Sequence, residues 1–248
     1  MIYIHCGFSK IFSLSSITAN YTEDWEKWWK NPDDVDYYEF MAKDNVPFHS
    51  VVFPSTLIGT NKKWSLVNHL ISTEYLNYEE DKFSKSRGVG VFGNHAKDTG
   101  IPVDIWRFYL MYTRPENADT SFKWEDLMLK TNSELLANLG NFVNRALKFC
   151  KDNFDGVLGK IQLTNEDKQI LAQINRCLKQ YIELLEKCRE REAISQILNI
   201  SRIGKNHSYK YDFRFRNLKK LRQIGNCYFH VKIMNQLITY YTLEFIIS

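Results

Sequence analysis

The sequence contains no Cys-x-x-Cys pair; its five cysteines, Cys6, Cys150, Cys177, Cys188 and Cys227, lie far apart. That spacing excludes a zinc knuckle or a dithiol redox site built on such pairs, so no zinc site is expected and the thiols read as reduced, in keeping with a cytoplasmic protein. No basic residue precedes the apolar start, Met1 to Phe8, and no clear small-residue cleavage site follows it, which argues against a secretory signal. Long apolar runs are also lacking. The most apolar stretch, Cys227 to Ile247, is broken by Lys232, Asn235, Gln236 and Glu244, so no membrane partner is expected. A strong charge of either sign is missing too: the net charge is +4, and any contact with a polyanion must come from local clusters. There is no internal repeat or low-complexity tract. What is present, 44% hydrophobic and 25% charged residues over 248 positions, suits a soluble globular protein of one or two domains.

Three textures follow one another along the chain. From about Ser16 to Thr113, short apolar stretches alternate with loops (Tyr38 to Val46, Phe48 to Leu57, Trp64 to Tyr78), a pattern that predicts an α/β layer. From Trp124 to Ser201 the spacing becomes helical, all-α in character. Leu135, Leu139, Phe142, Val143, Ala146, Leu147 and Cys150 recur at three and four, as do Leu171, Ile174, Leu178, Tyr181, Leu185 and Cys188. Thr164 is the expected N-cap of the second of these helices, with Asp167 at its third position. The last texture, from Lys205 to Ser248, fits neither. It opens with Lys205, Lys210, Arg214, Arg216, Lys219, Lys220 and Arg222 interleaved with Tyr209, Tyr211, Phe213 and Phe215. Basic residues among stacking rings can grip RNA, and they also occur in solvated tails.

The strongest local signal is Lys82-Phe83-Ser84-Lys85-Ser86-Arg87-Gly88. Two lysines three residues apart, on a small-residue loop with Gly88 and Gly90 just beyond, can close over a polyphosphate as mobile point charges. Alone, such a string is also a common exposed basic loop. Its neighbours are Phe40-Met41-Ala42-Lys43-Asp44-Asn45-Val46-Pro47-Phe48-His49-Ser50 upstream and Asp104-Ile105-Trp106-Arg107-Phe108-Tyr109-Leu110 downstream, with Ile17-Thr18-Ala19-Asn20-Tyr21-Thr22 and Trp28-Trp29-Lys30-Asn31-Pro32 ahead of both. In this order the segments resemble class I aminoacyl-tRNA synthetases, specifically methionyl-tRNA synthetases of the eukaryotic cytosolic type, over about Ser16 to Gly204. Phe83 stands where that family has the methionine of its K-M-S-K-S loop.

The resemblance implies a division into a divergent segment 1–15, the C-terminal half of a Rossmann-like catalytic domain over 16–131 with its lysine loop at 82–86, a partial anticodon-binding helical bundle over 132–204, and an unrecognised tail, 205–248. It further implies that Lys85, with Lys82, acts on ATP and the departing pyrophosphate, that Ser84 and Ser86 share the ATP site, and that Asp44 accepts hydrogen bonds from the adenylate ribose. His49 and Phe48 would line a methionine side-chain pocket. Mg²⁺ would accompany ATP. Asn141 and Arg145 would recognise the anticodon of methionine tRNA. Helical spacing independently puts those two outward, opposite the stripe of Leu139, Phe142, Val143 and Ala146, although exposed polar pairs at i and i+4 are commonplace.

The 248 residues also depart from that family. No H-I-G-H motif is present, the D-A-P-x-G-Y segment expected before Ser16 reads Gly-Phe-Ser-Lys-Ile-Phe-Ser-Leu at 7–14, and no Pro-Trp pair follows Gly204. The expectation is therefore a truncated methionine–tRNA ligase, inactive by itself, needing its missing N-terminal half or a multi-synthetase assembly. The alternatives are a tRNA-binding module without catalysis and a non-functional fragment; DNA is not an expected partner. Apolar faces left uncovered in half a parallel sheet would favour aggregation.

Overall fold

The computed structural model describes residues 2–5, 14–156 and 163–212. The apolar segment Cys227 to Ile247 lies outside them, as does Cys6. The chain divides into two compact units. Residues 1–77 and 115–120 form the first; 78–114 and 121–248 form the second. The stretch carrying the lysine loop, which by texture ran on from the α/β layer, thus clusters with the helices.

The first unit is built on a parallel sheet in the order β1 (Ile2–His5), β2 (Tyr37–Ala42) and β3 (His69–Thr73). Ile2 aligns with Tyr37 and Tyr38 with His69. Parallel neighbours need crossovers, and helices supply them: α1 (Leu14–Tyr21) and α2 (Trp25–Trp29) between β1 and β2, and α3 (Phe53–Ile58) between β2 and β3. As the central strand, β2 is mostly buried, and its near-continuous apolar sequence reflects cover on both faces. Trp29, Tyr37 and Phe53 form the core, with Phe48, Leu57 and Trp64 packed around it. The Trp29 ring meets Tyr37 edge-on at 5.2 Å, and its indole N–H donates to Thr18 Oγ1 at 2.9 Å. Asn68 brackets the start of β2: its Oδ1 accepts from Tyr37 N and its own N–H donates to Tyr37 O.

Between β2 and α3 the chain makes a 3₁₀ turn over Lys43–Asn45 and then a π-helical turn over Phe48–Val52. A second wide-turned stretch, Thr131–Gly140, occurs in the other unit between α6 (Trp124–Lys130) and α7 (Asn141–Phe154). Sequence periodicity assumes 3.6 residues per turn, and neither π segment was predicted.

In the second unit, α7, α8 (Asn165–Glu186) and α9 (Glu190–Asp212) pack through Phe142, Ile174, Tyr181, Ala193, Ile197 and Ile200. The expected cap of α8 is present and complete. Thr164 Oγ1 accepts from Asp167 N, and Asp167 Oδ2 accepts from Thr164 N at 2.8 Å. α9 continues through Asp212, past Lys205, where the third texture of the sequence opens. Lys205 donates to Ala137 O at 3.1 Å and His207 is buried 3.5 Å from Asp167, contacts that hold this part of α9 against the preceding helices. α5 (Val103–Tyr112) is tied to the start of α9 by Arg114, which pairs with Glu190 and donates to Cys188 O. Cys177 and Cys188 are free thiols, and burial pushes both up. No helix among the described residues is long and apolar enough to cross a membrane.

Candidate functional site

Three of the predicted site residues sit just beyond the carboxyl end of β2, the end of a parallel sheet at which open α/β folds bind ligands. Asp44 lies in the 3₁₀ turn and is exposed. It accepts a hydrogen bond from Tyr75, two residues past the end of β3, so the ends of adjacent parallel strands are joined by a phenol and a carboxylate. Desolvation, then the Asp44 charge, pushes the Tyr75 phenol up. Beside them the Lys43 ammonium pairs with Glu74 and with Asp119, the latter at 3.0 Å, and lies 4.6 Å from the Tyr75 ring centroid. Its bond to Glu74, backed by Asp119, pushes Lys43 up to about 12. Lys43 is therefore committed to this surface cluster.

His49 and Phe48 lie in the π-helical turn. Phe48 packs against the Trp29, Tyr37 and Phe53 core, whereas His49 is 1% exposed and belongs to a buried polar chain. His49 Nδ1 lies 2.7 Å from Glu39 Oε2, and the Tyr37 hydroxyl donates to Glu39 Oε1. The ring's other nitrogen, Nε2, is buried without a hydrogen-bond partner. Glu39 and Tyr37 were not singled out in the sequence; an acidic residue inside the apolar run Tyr37 to Ala42 was the available signal.

In the second unit the lysine loop lies between β4 (Leu76–Tyr78) and α4 (Gly93–Asp98). Two backbone bonds between Ser84 and Val89, at 2.8 and 2.9 Å, close the loop and place Lys85 in its turn. Gly88 and Gly90 take positive φ values of 67° and 123°. At Gly90 a Cβ would come within 2.3 Å of the Phe83 ring, so glycine is required both for conformation and for that close approach. Phe83 in turn meets Tyr78 at 5.4 Å and Phe92 at 6.1 Å. Tyr78 stacks on Phe122, itself packed by Trp106, Tyr109 and Trp124. The loop's apolar residue is thus its anchor. Its polar residues stay outside: Lys82, Lys85 and Ser86 are exposed, Ser84 Oγ accepts from Arg87, and the Lys85 ammonium has no partner among the described residues.

Asn141 and Arg145 are exposed on α7, one turn apart, while Phe142 between them is buried. Asn138, one turn before Asn141, points inward. Its Nδ2 donates to Glu134 and to Leu198 O, each at 3.2 Å, and Glu134 holds Arg202 at 2.7 Å through both carboxylate oxygens. These bonds fix the start of α7 against α9. Among the described residues no group of three His, Cys, Asp or Glu side chains is placed to hold a metal ion.

The architecture defines the class first: it is the fold of a class I synthetase. A crystal structure of Mycobacterium tuberculosis methionyl-tRNA synthetase bound by methionyl-adenylate matches at a TM-score of 0.73 and 19% identity, over 86% of this chain and 43% of that one. Residues 8–147, more than half of the chain, match the model of the tRNA synthetases class I (M), and the chain belongs to that family, the methionyl-tRNA synthetases. It is 66% identical over 189 residues to the cytoplasmic methionine–tRNA ligase of Xenopus laevis, covering 76% of this chain and 21% of the relative. To that of Homo sapiens it is 59% identical over 197 residues, 79% of this chain and 22% of the relative. The chain therefore spans about a fifth of the length of the curated relatives it matches. The family match starts at residue 8, so the likeness begins ahead of Ser16, where the sequence motifs placed it.

Proposed function

We propose that this chain is the tRNA-proximal part of a cytoplasmic methionine–tRNA ligase, which activates methionine with ATP and transfers it to methionine tRNA. In this reading residues 16–131 belong to the catalytic domain and 132–204 to the anticodon-binding bundle. The observation that carries it is the Lys85 ammonium, exposed and without a partner among the described residues, in a turn fixed by Phe83 inside a stretch that matches the family model. A buried or ion-paired lysine would first have to be freed. Lys85 is available to the oxygens that gain charge as pyrophosphate departs, with Lys82 assisting and Ser84 and Ser86 donating to phosphate oxygens. Asp44, acceptor-only when ionised, takes the ribose hydroxyls, and Tyr75 holds its carboxylate in place. Phe48 and His49 supply the methionine pocket. Mg²⁺ brought with ATP would neutralise part of the phosphate charge that Lys85 and Lys82 face. Asn141 and Arg145 read anticodon bases from the exposed face of α7.

The 248 residues hold no H-I-G-H segment, and the chain by itself is expected to show no methionine-dependent ATP–pyrophosphate exchange. The catalytic reading is tested in the Xenopus laevis enzyme carrying residues 16–204 of this chain in place of its own. That enzyme should exchange, and K85A should lower the rate by about 100- to 1000-fold, the usual effect of removing one transition-state charge stabiliser. Exchange by K85A at the unsubstituted rate would overturn the assignment of Lys85.

A further inference from the structure

Glu39 is the one carboxylate of the described first unit that is fully buried, and the proposed catalytic roles leave it unused. Its side chain sits on β2 at 1% exposure, with both oxygens occupied: Oε1 accepts from the Tyr37 hydroxyl and Oε2 meets His49 Nδ1 at 2.7 Å. Tyr37 is held by its edge-on contact with Trp29, so this end of the chain is rigid. At 2.7 Å, Nδ1 and Oε2 make one hydrogen bond, so Nδ1 is engaged. The imidazole then has one position left, Nε2, and that atom is buried with no partner among the described residues. Native folds leave few such orphans, and each asks for a ligand or water to complete it.

We infer that Glu39 is a positioning residue for the methionine site: through the Nδ1 bond it fixes the orientation and tautomer of His49, so that Nε2 is the atom presented to the amino-acid side chain. Phe48, the adjacent residue, packs into the aromatic core, so the apolar part of the pocket and its single polar atom come from one turn of backbone. With Nδ1 engaged by Glu39, the imidazole presents Nε2 in one fixed direction, where a ring free to flip would present it in two. The inference rests on His49 lining the methionine pocket, and its test separates the two.

The test has a spectroscopic and a kinetic arm. Nitrogen-15 histidine spectra of the 248-residue chain should show His49 protonated and hydrogen-bonded at Nδ1. In E39Q, whose amide can present either oxygen or N–H₂, that fixed state should be replaced by a mixture of tautomers. Thermal melts confirm that the variant folds, and E39D, which keeps the charge but withdraws the oxygen, serves where E39Q does not. In the segment-swapped enzyme, E39Q should raise the KM for methionine about tenfold, the scale of one charge-assisted hydrogen bond, and leave the KM for ATP unchanged. Identical His49 spectra and methionine KM in folded E39Q and the unsubstituted protein would overturn the inference. H49Q separates the outcomes: if it raises the methionine KM while E39Q changes nothing, only the role of Glu39 fails. If H49Q also leaves the methionine KM unchanged, the pocket reading itself fails.

Discussion

Replacing Asp167 by alanine should destabilise the helical unit more than any surface substitution in it. Asp167 is 1% exposed at the third position of α8, and its Oδ2 accepts from both the backbone N–H and the hydroxyl of Thr164, at 2.8 and 2.7 Å. Alanine keeps the helix propensity and removes the reciprocal half of the cap, worth about 1 kcal/mol. It also deprives two partly buried donors of their charged acceptor and takes away the carboxylate that faces His207, adding about 1–3 kcal/mol. The sum is about 2–4 kcal/mol. For a chain of this size each kcal/mol lowers Tm by about 2–4 °C, so a loss near 3 kcal/mol corresponds to about 6–12 °C. Thermal unfolding followed by circular dichroism at 222 nm, paired with urea titration, reads the change. T164A, which loses both bonds of the hydroxyl but leaves Asp167 accepting from the Thr164 backbone N–H, should fall only about 1 kcal/mol. A Tm for D167A within about 2 °C of the parent, with the same urea midpoint, would show that the start of α8 contributes nothing to the stability of this fold.

Three further outcomes are expected from the same structure. G90A places a methyl group against the Phe83 ring at a φ of 123°, a strain of about 1–3 kcal/mol, so exchange by the segment-swapped enzyme should fall while its Tm changes little; an unaltered rate would mean that Phe83 does not set the loop. Tyr109 is fully buried with its hydroxyl 3.0 Å from Asp126, and burial pushes its phenol up to about 12. Because the folded state favours the neutral phenol, this stabilisation is whole below pH 10.0 and is lost as pH rises toward about 12, so the difference in urea midpoint between the parent and Y109F should shrink across that interval. N141A and R145A should each weaken binding to methionine tRNA about tenfold or more while leaving binding to an anticodon-altered tRNA nearly unchanged; equal losses on both RNAs would remove these residues from anticodon reading.

Local patterns were legible in the sequence to the extent that their partners were close in the chain. The capping box at Thr164 and Asp167 spans three residues, and the division of α7 into a buried Phe142 and exposed Asn141 and Arg145 needs only a helical repeat. The turn holding Lys85 was likewise visible in its flanking glycines. Long-range features were not. Glu39 lies ten residues from His49, and only the packing of a π-helical turn against β2 shows that they meet. Lys43, Glu74, Tyr75 and Asp119 come together because β2 and β3 are adjacent and the chain returns at 115–120, facts of topology that periodicity does not carry. Residues 205–212 of α9 read as part of a third texture because, basic and aromatic, they lack an apolar stripe; Lys205 and His207 meet Ala137 and Asp167 through polar contacts.

The π-helical turn at Phe48–Val52 closes its hydrogen bonds five residues apart where an α-turn closes them four apart, and so takes up one extra residue within a single turn. The chain therefore enters α3 with its facing preserved: His49 and Phe53, four apart, are both buried, and Val51 and Val52 stand exposed beside them. Deleting Val51 and letting the backbone relax to ordinary helix would leave His49 and Phe53 three apart, still neighbours on one face, so this connection can lose a residue while its buried side stays in register.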